Sequence, residues 1–306
     1  MTSTPAPAAP SAARQSTGVP GLDELLGGGL VPGTLTVLVG ATGVGKTQFG
    51  LQFAQAGAAQ EDRAGVFFDM SVRGDSQSHA DYAARIFGRS LSVVDAGATP
   101  NLDDFFARRA HGDYLRLFDH RSRRITRDES DFYAWHEWQA QVNARTTAAI
   151  AFLYGNLIHG VRRVVVDGIE PVDRPRESLQ FEMFEYLYHQ VLRKEPEWVA
   201  RDLFRQHYLR HAEEAARHAY DPSAVGCMLL VTSRETMLED LISRGLDEGD
   251  VLSGANSVIL LGKIRDGARI GRALYVAKHR GSACTDEIVP FAIGDAGLSV
   301  VDGSKS

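Results

Sequence analysis

A chain of 306 residues with 44% hydrophobic content has room for one large domain or two small ones, and enough apolar mass for a sizeable core. Its net charge of -6 argues against indiscriminate nucleic-acid binding, although a local basic groove stays open, and no apolar run approaches the roughly 18 residues that a membrane span needs. Cys227 and Cys284 lack metal-ligand spacing and read as reduced structural thiols.

Residues 1–16 are rich in Pro, Ala and Ser and lack a central apolar block, so they read as a disordered tail and not as a signal peptide, with the cytoplasm as the expected location. Residues 17–303 are expected to form a single domain. A short helix over Leu22 to Leu26 and a glycine-rich turn precede a first core strand, Leu35 to Val39. Further strands are predicted at Gly65 to Met70, Val161 to Asp167, Cys227 to Thr232, Ser257 to Leu261 and Ala273 to Lys278, with helical patterns between most of the early ones. Runs such as RRVVVD and CMLLVT are continuously apolar, as in strands covered on both faces. The expected fold class is therefore α/β, a mainly parallel twisted sheet flanked by helices. The last strands, parted by the polar RDGARIGR, are expected to add an antiparallel C-terminal edge.

Two helical insertions interrupt this alternation. The first, about residues 101–159, holds HRSRRITR and then a helical pattern marked by Phe132, Trp135, Val142, Ile150, Leu153 and Leu157. The second, about 176–220, reads as two helices: Phe181, Phe184, Leu187 and Val191 mark one, Pro196 breaks it, and Trp198, Leu203 and Tyr208 mark the next.

Gly40 to Thr47, GATGVGKT, stands between the first strand and an amphipathic run, and fits G-x-x-x-x-G-K-[ST] at each fixed position. Such a turn aims backbone N–H groups at phosphate oxygens, helped by the positive end of the following helix. Gly40, Gly43 and Gly45 permit close approach, Thr42, Val44 and Gln48 complete the lining, Lys46 would bridge the outer phosphates, and Thr47 would ligate magnesium. A partner carboxylate is needed at the end of a neighbouring buried strand, and Asp167, after VVV, is the best candidate. ATP and Mg2+ are the expected ligands, Thr47 and Asp167 the expected metal residues.

Three blocks, STGVPGLDELLGGGLVPGTLTVLVGATGVGKTQFGLQF, VVVDGIEPV and LLVTSRE with RALYVAKHRGSACTDEIVPFAIGDAGLSV, together resemble the KaiC-like branch of the RecA superfamily of P-loop ATPases. The resemblance implies a RecA-type fold, Mg-ATP, and a homo-oligomeric ring, possibly of six, with nucleotide at each subunit interface. It also implies that Lys278 and Arg280, in the KxRG element ending at Gly281, reach the neighbouring subunit's nucleotide, and that Thr232 or Ser233 occupies a sensor position. The histidine often found after that glycine is absent, with Cys284 near its place.

Hydrolysing relatives carry a glutamate pair at the end of the second strand. Here that register falls on Ser71 and Val72, neither of which can orient water as a base. Asp69 shares the strand face of Ser71 but lies one pleat repeat back, roughly 6.5–7 Å, so its use as a base needs a bulge or shifted register. Asp75 and Glu170 remain in possible reach. The leading expectation is an ATP-dependent assembly or signalling switch with weak hydrolysis, with Asp69, Lys46 and Ser233 as catalytic candidates and a protein partner docking on the helical insertions. The alternatives are a competent ring ATPase with a relocated carboxylate, and a DNA-recombination accessory using Arg108, Arg109, Arg121, Arg123, Arg124 and Arg127 on phosphates and Tyr114 and Phe118 for stacking.

Overall fold

The computed structural model describes residues 13–71, 79–97, 100–118, 132–170, 179–244, 254–282 and 284–301. Strand β1 (Leu35–Gly40) is buried at every position, and it pairs in parallel with β6 (Gly226–Thr232) on one side and β7 (Ser257–Asp266) on the other. Beyond β6 come β5 (Arg163–Ile169), β2 (Val66–Asp69), β4 (Tyr114–Arg116) and β3 (Val93–Asp95), all parallel. Beyond β7 the antiparallel strands β8 (Arg269–His279), β9 (Val289–Gly294) and β10 (Gly297–Val300) complete a ten-stranded sheet in the order β10-β9-β8-β7-β1-β6-β5-β2-β4-β3.

Successive side chains of the central strands alternate between two cores, as the period of two requires. Val37, Val164 and Val166 enter one cluster, with α4 (Phe132–Ile158), α5 (Leu179–Leu187), α6 (Pro196–Phe204) and α7 (Tyr208–Arg217). Leu38 and Val165 enter the other, beside Phe49 and Phe53 of α2 (Lys46–Gln60). All six strands expected from sequence are present. The antiparallel edge is also present, but RDGARIGR is mostly strand, because β7 continues to Asp266 and β8 begins at Arg269.

Other details differ. The first insertion contains β4, a member of the sheet. The second contains three helices and a π turn (Tyr188–Leu192): Phe181, Phe184, Leu187 and Val191 are buried as the spacing predicts, Tyr208 opens α7, and Trp198 is 54% exposed. Residues 13–16, expected within a disordered tail, belong to the folded body. Gln15 exchanges two backbone hydrogen bonds with Leu30, and Ser16 N donates to the Gln60 side chain. Residues 1–12 lie outside the described ones, as do the side chains of Phe132, Trp135 and Val142.

The anchor of this arm is Arg163, fully buried at the start of β5. Its Nε and Nη2 donate to the two carboxylate oxygens of Glu61 at 2.8 and 3.0 Å, and Nη1 donates to Ser16 O and Phe53 O at 2.6 and 2.8 Å. The guanidinium also lies over the Phe53 ring at 4.9 Å. One cation thus joins β5, the end of α2 and the arm. Truncation to Arg163→Ala strands Glu61 and two carbonyls, so urea unfolding should show a loss of about 3–5 kcal/mol; a loss below about 1 kcal/mol would show that the hub does not hold these pieces together.

Candidate nucleotide-binding site

The chain leaves β1 at Gly40, crosses a loop, and enters α2 at Lys46. Gly43 and Gly45 hold φ of 78° and 118°, a region that L side chains rarely adopt. A Cβ added to Gly43 would meet nothing within 4 Å, so the outer side of the loop is open, whereas one on Gly45 would sit 2.9 Å from Ile293 Cδ1. Thr42 and Gly43 are exposed, while Val44 is buried and pins the loop to the core. No side chain caps the helix, which leaves its first backbone N–H groups for a ligand.

Lys46 is buried and donates from Nζ to Gly40 O at 2.8 Å and Ala41 O at 3.0 Å. Burial pushes its pKa down to about 8, against the opposing pull of Asp167. Gln48 is buried on the first turn, and its Oε1 has no partner among the described residues.

Asp167 lies on β5, separated from β1 by β6 alone, and at the same level as Asp69 of β2. Its Oδ2 accepts from Thr47 Oγ1 at 2.8 Å and lies 2.9 Å from His79 Nε2, and its Oδ1 accepts from Gly168 N at 2.7 Å. Burial would raise this carboxyl, but His79, Thr47 and Lys46 hold it below the usual range. Burial likewise works against a charged His79, yet the hydrogen bond and charge of Asp167, with the charge of Asp69, hold the imidazole above its ordinary value.

The donor set suits the expected ligands. A hydroxyl and a carboxylate oxygen in contact match the hard oxygen ligands that magnesium takes, and the open loop with its retracted ammonium suits a polyphosphate.

Asp69, weighed as a base, is 1% exposed and already engaged. It accepts from the Tyr114 hydroxyl and, at 2.8 Å, from Ser71 N, and Arg116 Nε lies 3.4 Å away. Two of these partners come from β4, the strand unforeseen in the first insertion. Ser71 packs its backbone against Gly168, where φ is 90° and an added Cβ would collide with Ser71 N; its own Oγ is buried without a partner among the described residues. Val72 and Asp75 lie outside the described residues. Glu170, just after β5, donates from its N to Gln180 Oε1 at 3.3 Å.

Ser233 stands beside the phosphate loop: its N donates to Gly40 O at 3.0 Å, next to the Gly40–Thr232 pairing. Its hydroxyl donates to Glu235, a carboxylate absent from the sequence reading, which also has Arg244 Nη1 at 3.6 Å. The Ser233 bond holds the Glu235 pKa below the usual value.

Lys278 and Arg280 stand elsewhere. The loop end of the sheet is marked by Gly40 beside Leu261, and Leu261 pairs with Leu274, whereas Lys278 pairs with Val258 at the opposite end. Four residues of strand separate the two levels, about 13 Å, so neither cation belongs to its own chain's phosphate loop. Tyr114 and Phe118, candidates for base stacking, are both buried; Arg121, Arg123, Arg124 and Arg127 lie outside the described residues. The cysteines are free thiols, Cys227 buried and Cys284 partly so.

The family model described as "ATPase: KaiC" matches residues 15–97, which contain the arm, β1, the phosphate loop and β2. A circadian clock oscillator protein KaiC of Prochlorococcus marinus is 24% identical over 93% of this chain and 44% of its own length. Over residues 15–97 the chain is thus similar to the KaiC ATPases. KaiC2, a circadian clock protein of Synechocystis, is 26% identical over 93% of the chain and 39% of its own length, so the chain spans less than half of these curated relatives. A KaiC-like protein of Pyrococcus horikoshii superposes over 94% of this chain and 98% of its own, with 17% identity and a TM-score of 0.48.

His79 is the site residue that sequence reasoning missed; a lone histidine in SHADYAARIF carries no spacing signal, and only the packing of α3 (His79–Phe87) beside β2 and β5 brings it to Asp167. Because folding raises its pKa, its pairing stabilises the fold below the ordinary histidine value and loses that contribution as pH rises through the folded value. The denaturation midpoints of the native chain and of His79→Gln should therefore be furthest apart below the ordinary histidine value of about 6.5 and converge as pH rises through the folded value. A pH-independent gap would refute the ion pair.

Proposed function

We propose that this KaiC-like chain binds ATP with magnesium, that the nucleotide controls its self-assembly, and that hydrolysis is slow. The observation that carries the proposal is the 2.8 Å contact between Thr47 Oγ1 and Asp167 Oδ2, which brings the two magnesium-ligand types together from distant parts of the chain. Backbone N–H groups of the Gly40 to Gln48 turn and Lys46 would hold the phosphates, with Thr47 and Asp167 holding the cation. The cation supplies neutralisation of phosphate charge.

Slow hydrolysis follows from the state of the carboxylates. Asp69, Asp167 and Glu235 each have donors of their own, and the position where hydrolysing relatives carry glutamate holds Ser71, packed against Gly168. Lys278 and Arg280, remote from their own loop, suit a contact with the nucleotide of a second copy, and a ring, possibly hexameric, is the closed assembly such head-to-tail contacts produce. A ligand shared between subunits favours the assembled state by mass action even without turnover. The α4–α7 surface is then available for a protein partner, and the cytoplasm is the proposed location; among the described residues no helix is long and apolar enough to cross a membrane.

Particle mass and ATP turnover measured together test this. ATP should enlarge the particle relative to ADP or no nucleotide, Lys46→Ala should abolish the response, and Asp69→Asn should change turnover by no more than about twofold. Indistinguishable assemblies with ATP and ADP would sink the switch. A loss of about 100-fold in turnover in Asp69→Asn, with ATP binding intact, would establish the competent ring ATPase instead.

A further inference from the structure

We infer that Arg14 and His279 form a bracket that sets the Lys278–Gly281 element in position for the neighbouring subunit, a role that rests on the proposed trans contact of Lys278 and Arg280. Arg14 stands one residue before the segment matched by the family model. Its Nη1 donates to Gly29 O at 3.3 Å and lies 3.3 Å from His279 Nε2, while Nη2 donates to Gly281 O at 3.1 Å. The guanidinium thus spans from the glycine-rich turn to the end of the KxRG element, using a planar fork that lysine lacks.

His279 completes the bracket from inside. Its Nδ1 lies 2.8 Å from Ser257 Oγ and its Nε2 3.1 Å from Leu26 O, and the ring is buried. Burial, with the nearby charge of Arg14, holds it below the ordinary histidine value, so the cation of Arg14 faces a neutral ring. Strand alternation turns Lys278 away from the side His279 takes, and Arg280, just past the strand, is exposed. Around them Ser282 Oγ donates to Leu26 O, Arg280 N donates to Asn256 O, and Asn256 Nδ2 donates to Arg280 O. The last β7–β8 ladder pair is Ser257–His279, so the chain beyond it depends on these bonds for its direction.

The same arm reaches the helix that begins at the phosphate loop. Ser16 N donates to Gln60, and Gln52 of α2 donates to Gly18 O at 3.1 Å. Residues 14–18 therefore connect the chain's own nucleotide helix to the element offered to the neighbour. Holding that element ordered before contact removes an ordering cost from assembly.

The test is a cycle of Arg14→Ala, the pair Lys278→Ala with Arg280→Ala, and all three together, reading the concentration at which Mg-ATP half-assembles the chain. Mg-ATP affinity below the assembly range and thermal unfolding are read alongside. In the native background Arg14→Ala should raise the half-assembly concentration about tenfold with nucleotide affinity unchanged; Arg14→Lys should fall between; and in the Lys278/Arg280 background Arg14→Ala should add nothing. If removing Lys278 and Arg280 leaves assembly unchanged, the trans contact itself fails and the bracket with it. If that pair matters but Arg14→Ala has no effect, or an equal effect in both backgrounds, the bracket is overturned and the trans contact stands.

Discussion

The contact between the Thr47 hydroxyl and the Asp167 carboxylate depends on a strand order and a register being right at once. Thr47 is displaced from β1 by the phosphate loop and one step of helix, and β6 separates β1 from β5. The two side chains meet because the parallel strands end at a common level and α2 runs back across the same face. A one-residue slip of β5 would turn Asp167 to the opposite face and put Val166 or Gly168 toward the helix. The contact therefore reports the fold as much as the site.

Charge at this edge is balanced locally. Asp167 receives Thr47, His79 and its neighbour's amide; Asp69 receives Tyr114, Arg116 and Ser71; Glu235 receives Ser233. Asp69 and Asp167 are buried, and their partners occupy lone pairs that a general base must offer. The proposed slow hydrolysis rests on that engagement.

Arg163 and Arg14 play a comparable part at the other end of the sheet. One ties the arm and α2 to β5; the other ties the arm to the end of β8. Both use several donors of one guanidinium, which lets a short segment without helix or strand structure of its own join elements far apart in sequence. The arm is ordered by what it binds.

Much of the fold was legible in the sequence because the buried strands are long enough for their apolar runs to stand out, and the phosphate loop because its glycines and lysine follow a fixed spacing in a strand-to-helix setting. Asp167 was legible as a carboxylate ending a valine run. Strands of three residues, such as β3 and β4, carry too few positions for a period, so the partners of Asp69 went unseen. The ordered arm was hidden by its Pro- and Ala-rich approach, since composition cannot reveal a bond to a guanidinium about 150 residues away. Local pattern alone thus determined which longer segments become strands and where the glycine-rich loop lies between strand and helix. Tertiary structure alone decided that His79 meets Asp167, that Asp69 is engaged by Tyr114 and Arg116, and that Lys278 and Arg280 lie far from their own loop, because each depends on strand order and on distances between residues remote in the chain.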